Sequence, residues 1–146
     1  MKDKFQQLAA YNRWANARLY AAALDLSDQA YRLHIGVFFG NLHGTLNHLL
    51  LTDRLWLKRL TGEGGHPNRL DAILYEDRSE LTRARIAEDD RLIAVVEKYD
   101  DAALANLHST KQRRECRSHK FFQIFCCICL ITRPIIADGQ TPAYQF

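Results

Sequence analysis

Three stretches of this chain repeat apolar residues at helical spacing, and they predict its architecture. The clearest runs from Phe38 to Gly65. Leu42, Leu46, Leu49, Trp56 and Leu60 recur at steps of three and four and their sums, with Asp53 inside the same stripe. That pattern predicts one amphipathic helix of about five to six turns, with an apolar face for a bundle core. Gly62, Gly64 and Gly65 stop it. Before it, Phe5, Leu8, Asn12, Ala15, Leu19 and Ala22 form a stripe, widened by Tyr11 and Trp14, along a helix that Asp3 can cap and that reaches about Leu24. After it, Ile86, Ile93 and Val96 line up with Asp89 on a third long helix, capped by Ser79 and ending near Tyr99. Ser27 to Leu33 reads as a short helical turn, Gly36 and Gly40 bracket the entry to the central helix, and Ala102 to Leu107 can add one turn more. Residues 62 to 68, GEGGHPN, form a loop by composition.

Three long amphipathic helices need a fourth to close a core. The end of the chain does not supply one cleanly. Ser109 to Lys120 is polar and basic, and Phe121 to Ile131, FFQIFCCICLI, is apolar all round, so helix, buried strand and disordered sticky segment all stay open. Composition changes at the same place. The last 38 residues hold six Lys or Arg against two acids, whereas the first 108 hold 14 basic and 15 acidic residues. All four cysteines lie beyond residue 108 as well. The picture is a single all-α domain over residues 1–146, regular to residue 108 and divergent over 109–146, with a strained or disordered fourth element. An apolar groove left open on three helices predicts marginal stability or a homodimer.

Other classes fall away on inspection. No apolar run approaches the roughly 18–20 residues of a membrane span, and KDKFQQ at the start carries no apolar leader, which predicts a cytoplasmic protein with no membrane partner. The basic run from Lys111 to Lys120 lacks interleaved aromatics, which speaks against nucleic acid. No glycine-rich phosphate loop and no nucleophile-elbow context occur.

YNRWANARLY at residues 11–20, followed by FFGNLHGTLNHLLLTDRLWLKRLTGEG, resembles the DinB-like family of bacterial damage-inducible proteins over about residues 3–107. The resemblance implies a four-helix bundle, often dimeric, holding a divalent metal of the Zn or Ni type on three histidines. It implies thiol-dependent transferase or hydrolase chemistry on a small thiol for some relatives, and no known activity for many. The first metal ligand would be the histidine of LNHLL, here His48. The other two would come from a helix-four string like NHxTHHRGQ, four residues apart and on one face.

That string is missing; CLITRPIIADGQ stands in its place. Read across codon boundaries, however, every junction from Phe125 to Asp138 permits one residue of LLHLFNHATHHRG. A frameshift beginning near His108 to Thr110 accounts for this, and also for the clustered cysteines, the basic run and the lost periodicity. The two lost ligands would fall at about Thr132 and Ile136, whose side chains bind divalent metals poorly. One imidazole falls short of the three or four protein ligands of a zinc-type site. The chain as written is therefore expected to bind metal weakly or not at all.

The remaining candidates are weaker. His43 reads as structural or exposed, and His34, His66, His108 and His119 form no ligand spacing with His48. Cys126, Cys127 and Cys129 are soft donors that could join His48 in a replacement site, but CCIC lacks the paired spacing of a zinc knuckle. Asp53 is expected to meet a buried partner such as Asn12 or the Trp14 indole; Trp14 and Trp56 read as core. Two functions follow: a metal-dependent enzyme of the family type with an incomplete site, or a metal-free, non-catalytic bundle or dimerising scaffold.

Overall fold

The computed structural model describes residues 2–65, 67 and 69–102. Four helices follow one another: α1 (Lys2–Leu24), α2 (Asp28–Arg32), α3 (Leu42–Thr61) and α4 (Arg78–Lys98). Among the described residues the fold is all-α, its one β feature an isolated bridge between Val37 and Gly40. The expected fourth long element, the cysteine cluster, Thr132 and Ile136 lie outside the described residues, as does most of the turn expected at Ala102 to Leu107.

Local chemistry sets the helix ends. Ser27 accepts from the Ala30 amide to start α2. Asn41 Oδ1 accepts from the Gly44 amide to start α3, which ends where Gly62 turns left-handed (φ 77°) and donates its N–H to the Lys58 carbonyl. The central helix is thus shorter than the Phe38–Gly65 expected from its stripe, because Asn41 caps it and Phe38–Gly40 belong to a tight turn closed by Gly40 N–H to the Val37 carbonyl. Asp77, not Ser79, caps α4, its carboxylate accepting from the Glu80 amide. Ser79 lies inside the first turn because the aspartate two residues earlier takes the cap.

Two apolar clusters form the core. One joins Ala15, Leu19, Tyr20 and Ala23 of α1 to Tyr31, Leu46, Leu49, Leu50 and Leu81. The other joins Ala9 of α1 to Leu57 of α3 and to Leu92, Val95 and Val96 of α4. The first residues of α1 therefore meet the last of α3 and α4. α1 runs antiparallel to both, and α3 and α4 run parallel. A parallel pair needs a long connection, and residues 62–77 supply it by returning along α3. At its start the Glu63 carbonyl accepts from Arg91; further on, Leu70 meets His48, Leu74 and Tyr75 meet Asn47, and Glu76 meets His43.

The α1 and α4 stripes are phased differently from the expectation. Ala22 and Ile86 are exposed; Ala9, Asn16 and Ala23 of α1 and Leu81, Arg85, Glu88 and Leu92 of α4 are buried instead. Charged residues at 85, 88 and 89 disguise the true α4 stripe. Trp14 is half-buried against the first cluster, whereas Trp56, read as core, is half-buried with its indole beneath the Arg59 guanidinium and joins neither cluster. Among the described residues no helix is long and apolar enough to cross a membrane.

Candidate functional site

A layer of buried polar side chains separates the two apolar clusters. Arg85, 1% exposed, places its guanidinium nitrogens 2.8 Å from Asp53 Oδ2 and 2.8 Å from Asp89 Oδ1. The amides of Asn12 and Asn16 donate to Asp89 Oδ1 at 3.2 and 2.8 Å, and the Tyr20 hydroxyl donates to the Leu46 carbonyl at 2.7 Å. The contacts of Arg85 are close charge contacts rather than aligned hydrogen bonds. Burial raises the Asp53 pKa to about 6, with Asp89 adding to it and Arg85 opposing; burial raises Asp89 too. Burial opposes the charge on Arg85, and the two carboxylates outweigh it and raise its pKa. Asp53 thus has the buried partner expected for it. Asn12 lies within its reach as expected, but the principal partner is Arg85, not the Trp14 indole. Arg85 escaped the sequence reading: acids in the apolar stripes of two helices call for a buried cation, but the pattern does not say which of the α4 arginines supplies it.

The second polar group runs along α3 under the returning connection. Asn47 is its anchor. Its Oδ1 accepts from the Leu74 and Tyr75 amides at 2.8 and 3.0 Å, and its Nδ2 donates to the His43 and Tyr75 carbonyls. One side chain thereby ties the connection to α3 through its backbone. Asn47 escaped the sequence reading because asparagine beside a candidate ligand gives no pattern of its own.

His48 follows on the same helix. Its Nδ1 lies 2.7 Å from the Leu70 carbonyl oxygen, and Phe39 stacks on its ring at 3.8 Å and 23°. A carbonyl oxygen can only accept, so Nδ1 carries the proton and Nε2 keeps the lone pair in the neutral ring. Gly44 lets Phe39 reach this position, since a Cβ there would collide with the Phe39 carbonyl oxygen. His43 lies one helical turn before Asn47 and is buried, which agrees with a structural role and excludes an exposed one. The structure does not bring His43 and His48 together as ligands: Nδ1 of His43 faces the Tyr31 hydroxyl and its Nε2 faces Glu76. Among the described residues no group of three or more His, Cys, Asp or Glu side chains is disposed to hold a metal ion. The segment that the family resemblance expects to supply the other ligands lies outside the described residues.

An all-α bundle with a buried ionic layer and a returning connection strapped to its central helix defines the class. The DinB family model matches residues 1–120, and the chain belongs to the DinB family. The match runs past the residue 107 expected from the two helix motifs and stops just before Phe121. The chain is 28% identical over 102 residues to Protein DinB of Bacillus subtilis strain 168, covering 68% of this chain and 57% of that protein. It thus spans little more than half the length of the curated relative it matches. No solved structure matches it.

Proposed function

We propose that this chain is a DinB-family bundle of the metal-dependent thiol-transferase or hydrolase type, acting ancestrally on a small thiol, whose metal centre is incomplete. The observation that carries the reading is the held ring of His48. A histidine whose Nδ1–H is committed to a backbone carbonyl presents Nε2 in a fixed direction, as metal-binding histidines do. By the family resemblance two further histidines would fall at about Thr132 and Ile136, and neither side chain is a competent ligand. Resequencing the DNA from the Ala105 codon onward tests the origin of this loss: NHATHHRG in an adjacent frame makes the terminal segment a frameshift product.

Metal analysis of protein purified without chelators tests the state of the site. The expected result is far less than one Zn or Ni per chain, unchanged by His48→Ala. Near-stoichiometric metal that disappears in His48→Ala overturns the incomplete-site reading.

A second reading is a metal-free scaffold that self-associates. The turn between α2 and α3 favours it, for it exposes Leu33, Ile35, Val37 and Phe38, the last 93% exposed. Sedimentation velocity at several protein concentrations is expected to show a dimer that Phe38→Ser weakens at least tenfold. A monomer at every concentration removes this reading.

A further inference from the structure

We propose that Tyr31, His43 and Glu76 form an acid-sensitive latch that releases α2 and the 33–41 turn from α3. Tyr31 is the one buried residue of α2, and its hydroxyl lies 3.0 Å from His43 Nδ1. On the far edge of the ring, Nε2 is 3.4 Å from Glu76 Oε2, poorly aligned for a hydrogen bond. A carboxylate repels a lone pair, so Nε2 carries the proton of the neutral ring and Nδ1 accepts from the Tyr31 O–H. The second proton must then enter at Nδ1, where it displaces the Tyr31 hydroxyl as donor. Tyr31 is fully buried, and its O–H is left facing a donor.

Protonation loosens α2 by a second route. Glu76 also holds α2 through Arg32, whose Nη1 lies 3.2 Å from the Glu76 carboxylate and whose Nη2 donates to the Glu76 carbonyl. A cationic His43 competes with Arg32 for that carboxylate and repels the guanidinium. The other charged groups here are Asp28 of α2, paired with Arg32 at 3.4 Å, and Arg78 of α4, whose guanidinium lies over the Tyr31 ring at 4.9 Å. Arg78 also donates to the Ala23 and Leu26 carbonyls, which are untouched by the proton, so the segment before α2 stays anchored while α2 and the turn move. Asn41, the α3 cap, donates to the Arg32 carbonyl and so couples the turn to α2. Phe39 lies in that turn, so release also frees the face of His48.

The direction of the pH effect follows. Burial, with Arg32 next, lowers the His43 pKa below its usual 6.5, and Glu76 only partly opposes this. The contribution of His43 to stability is present above pH 6.5 and lost as pH falls through the lowered value.

Hydrogen exchange at pH 7.5 and pH 5, corrected for intrinsic rates, tests the latch. Amides of residues 29–41, Ile35 and Gly40 among them, are expected to open about tenfold more often in acid, with α4 as internal reference. Tyr31→Phe, which leaves no hydroxyl to displace, is expected to abolish most of that difference. Equal protection at both pH values in the wild type overturns the proposal, as does an undiminished acid response in Tyr31→Phe. If that variant does not fold, a wild-type NMR titration decides. The Ile35 and Gly40 amide shifts should follow the His43 ring with one midpoint, and a ring that titrates without them refutes the latch.

Discussion

Replacing Arg85 by methionine is expected to cost about 3–5 kcal/mol, enough to bring the domain close to unfolding. The side chain is 1% exposed and lies between Asp53 and Asp89, so its removal strands two carboxylates in the core rather than merely deleting a contact. Urea denaturation should show a midpoint lower by roughly 2 M, taking the usual dependence of stability on denaturant. Adding Asp53→Asn and Asp89→Asn to Arg85→Met should recover much of the loss, because the penalty belongs to unpaired charge. A single variant within 1 kcal/mol of wild type would mean that the layer is hydrated and tolerant. The same layer has a pH signature. Asp53 holds its proton to about pH 6 in the folded chain, against the ordinary 3.8. Its contribution to stability is full below 3.8 and is lost as pH rises through 6. Asp89, raised by burial as well, contributes in the same direction, so the double variant Asp53→Asn with Asp89→Asn is the one that leaves the opposing dependence of His43 to be titrated alone.

Asn47→Ala is expected to cost about 3 kcal/mol and to release the connection between α3 and α4. Four hydrogen bonds converge on this amide, two of them from the backbone N–H groups of Leu74 and Tyr75. Alanine leaves those donors facing a partly buried surface with nothing to accept them. Asn47→Asp keeps the accepting oxygen but sets a buried carboxylate oxygen against the His43 and Tyr75 carbonyls, so it should cost at least as much as alanine at neutral pH. Chemical denaturation gives the magnitude, and hydrogen exchange at residues 70–77 gives the location. Protection unchanged there in Asn47→Ala would show that the Leu70 and Glu76 contacts hold the connection without Asn47. The consequence reaches His48, because its Nδ1 partner is the Leu70 carbonyl in the same connection. Loss of the clamp therefore frees the imidazole to exchange tautomers, which the ring nitrogen shifts report.

Replacing the buried layer with apolar side chains of similar volume could raise stability, as buried ion clusters are seldom the most stable solution. What the layer supplies is register. Asn12 and Asn16 on α1, Asp53 on α3 and Arg85 and Asp89 on α4 meet across the three helices, and sliding one helix by a turn would separate the charges. Parallel packing of α3 against α4 has no short loop to enforce it, so this registration does work that a hairpin would otherwise do.

The sequence by itself determined the helices, their approximate ends and the family. Helical periodicity survives any tertiary context when the stripe is as regular as Leu42, Leu46 and Leu49, and the YNRWANARLY and LNHLL strings identify relatives without coordinates. It also placed Asp53 in the apolar stripe of α3. Only the tertiary structure decided what that residue meets. Arg85 reads in the sequence as one more surface charge on a polar helix; it becomes the centre of the core because α3 packs Asp53 against it, opposite its α4 neighbour Asp89. His43 is equally plain until α2 sets Tyr31 against it and the connection brings Glu76 to its other edge. Periodicity records which face of a helix is buried. It carries no information about pairings between residues 27 to 77 positions apart, and much of the polar chemistry of this protein is made of such pairings.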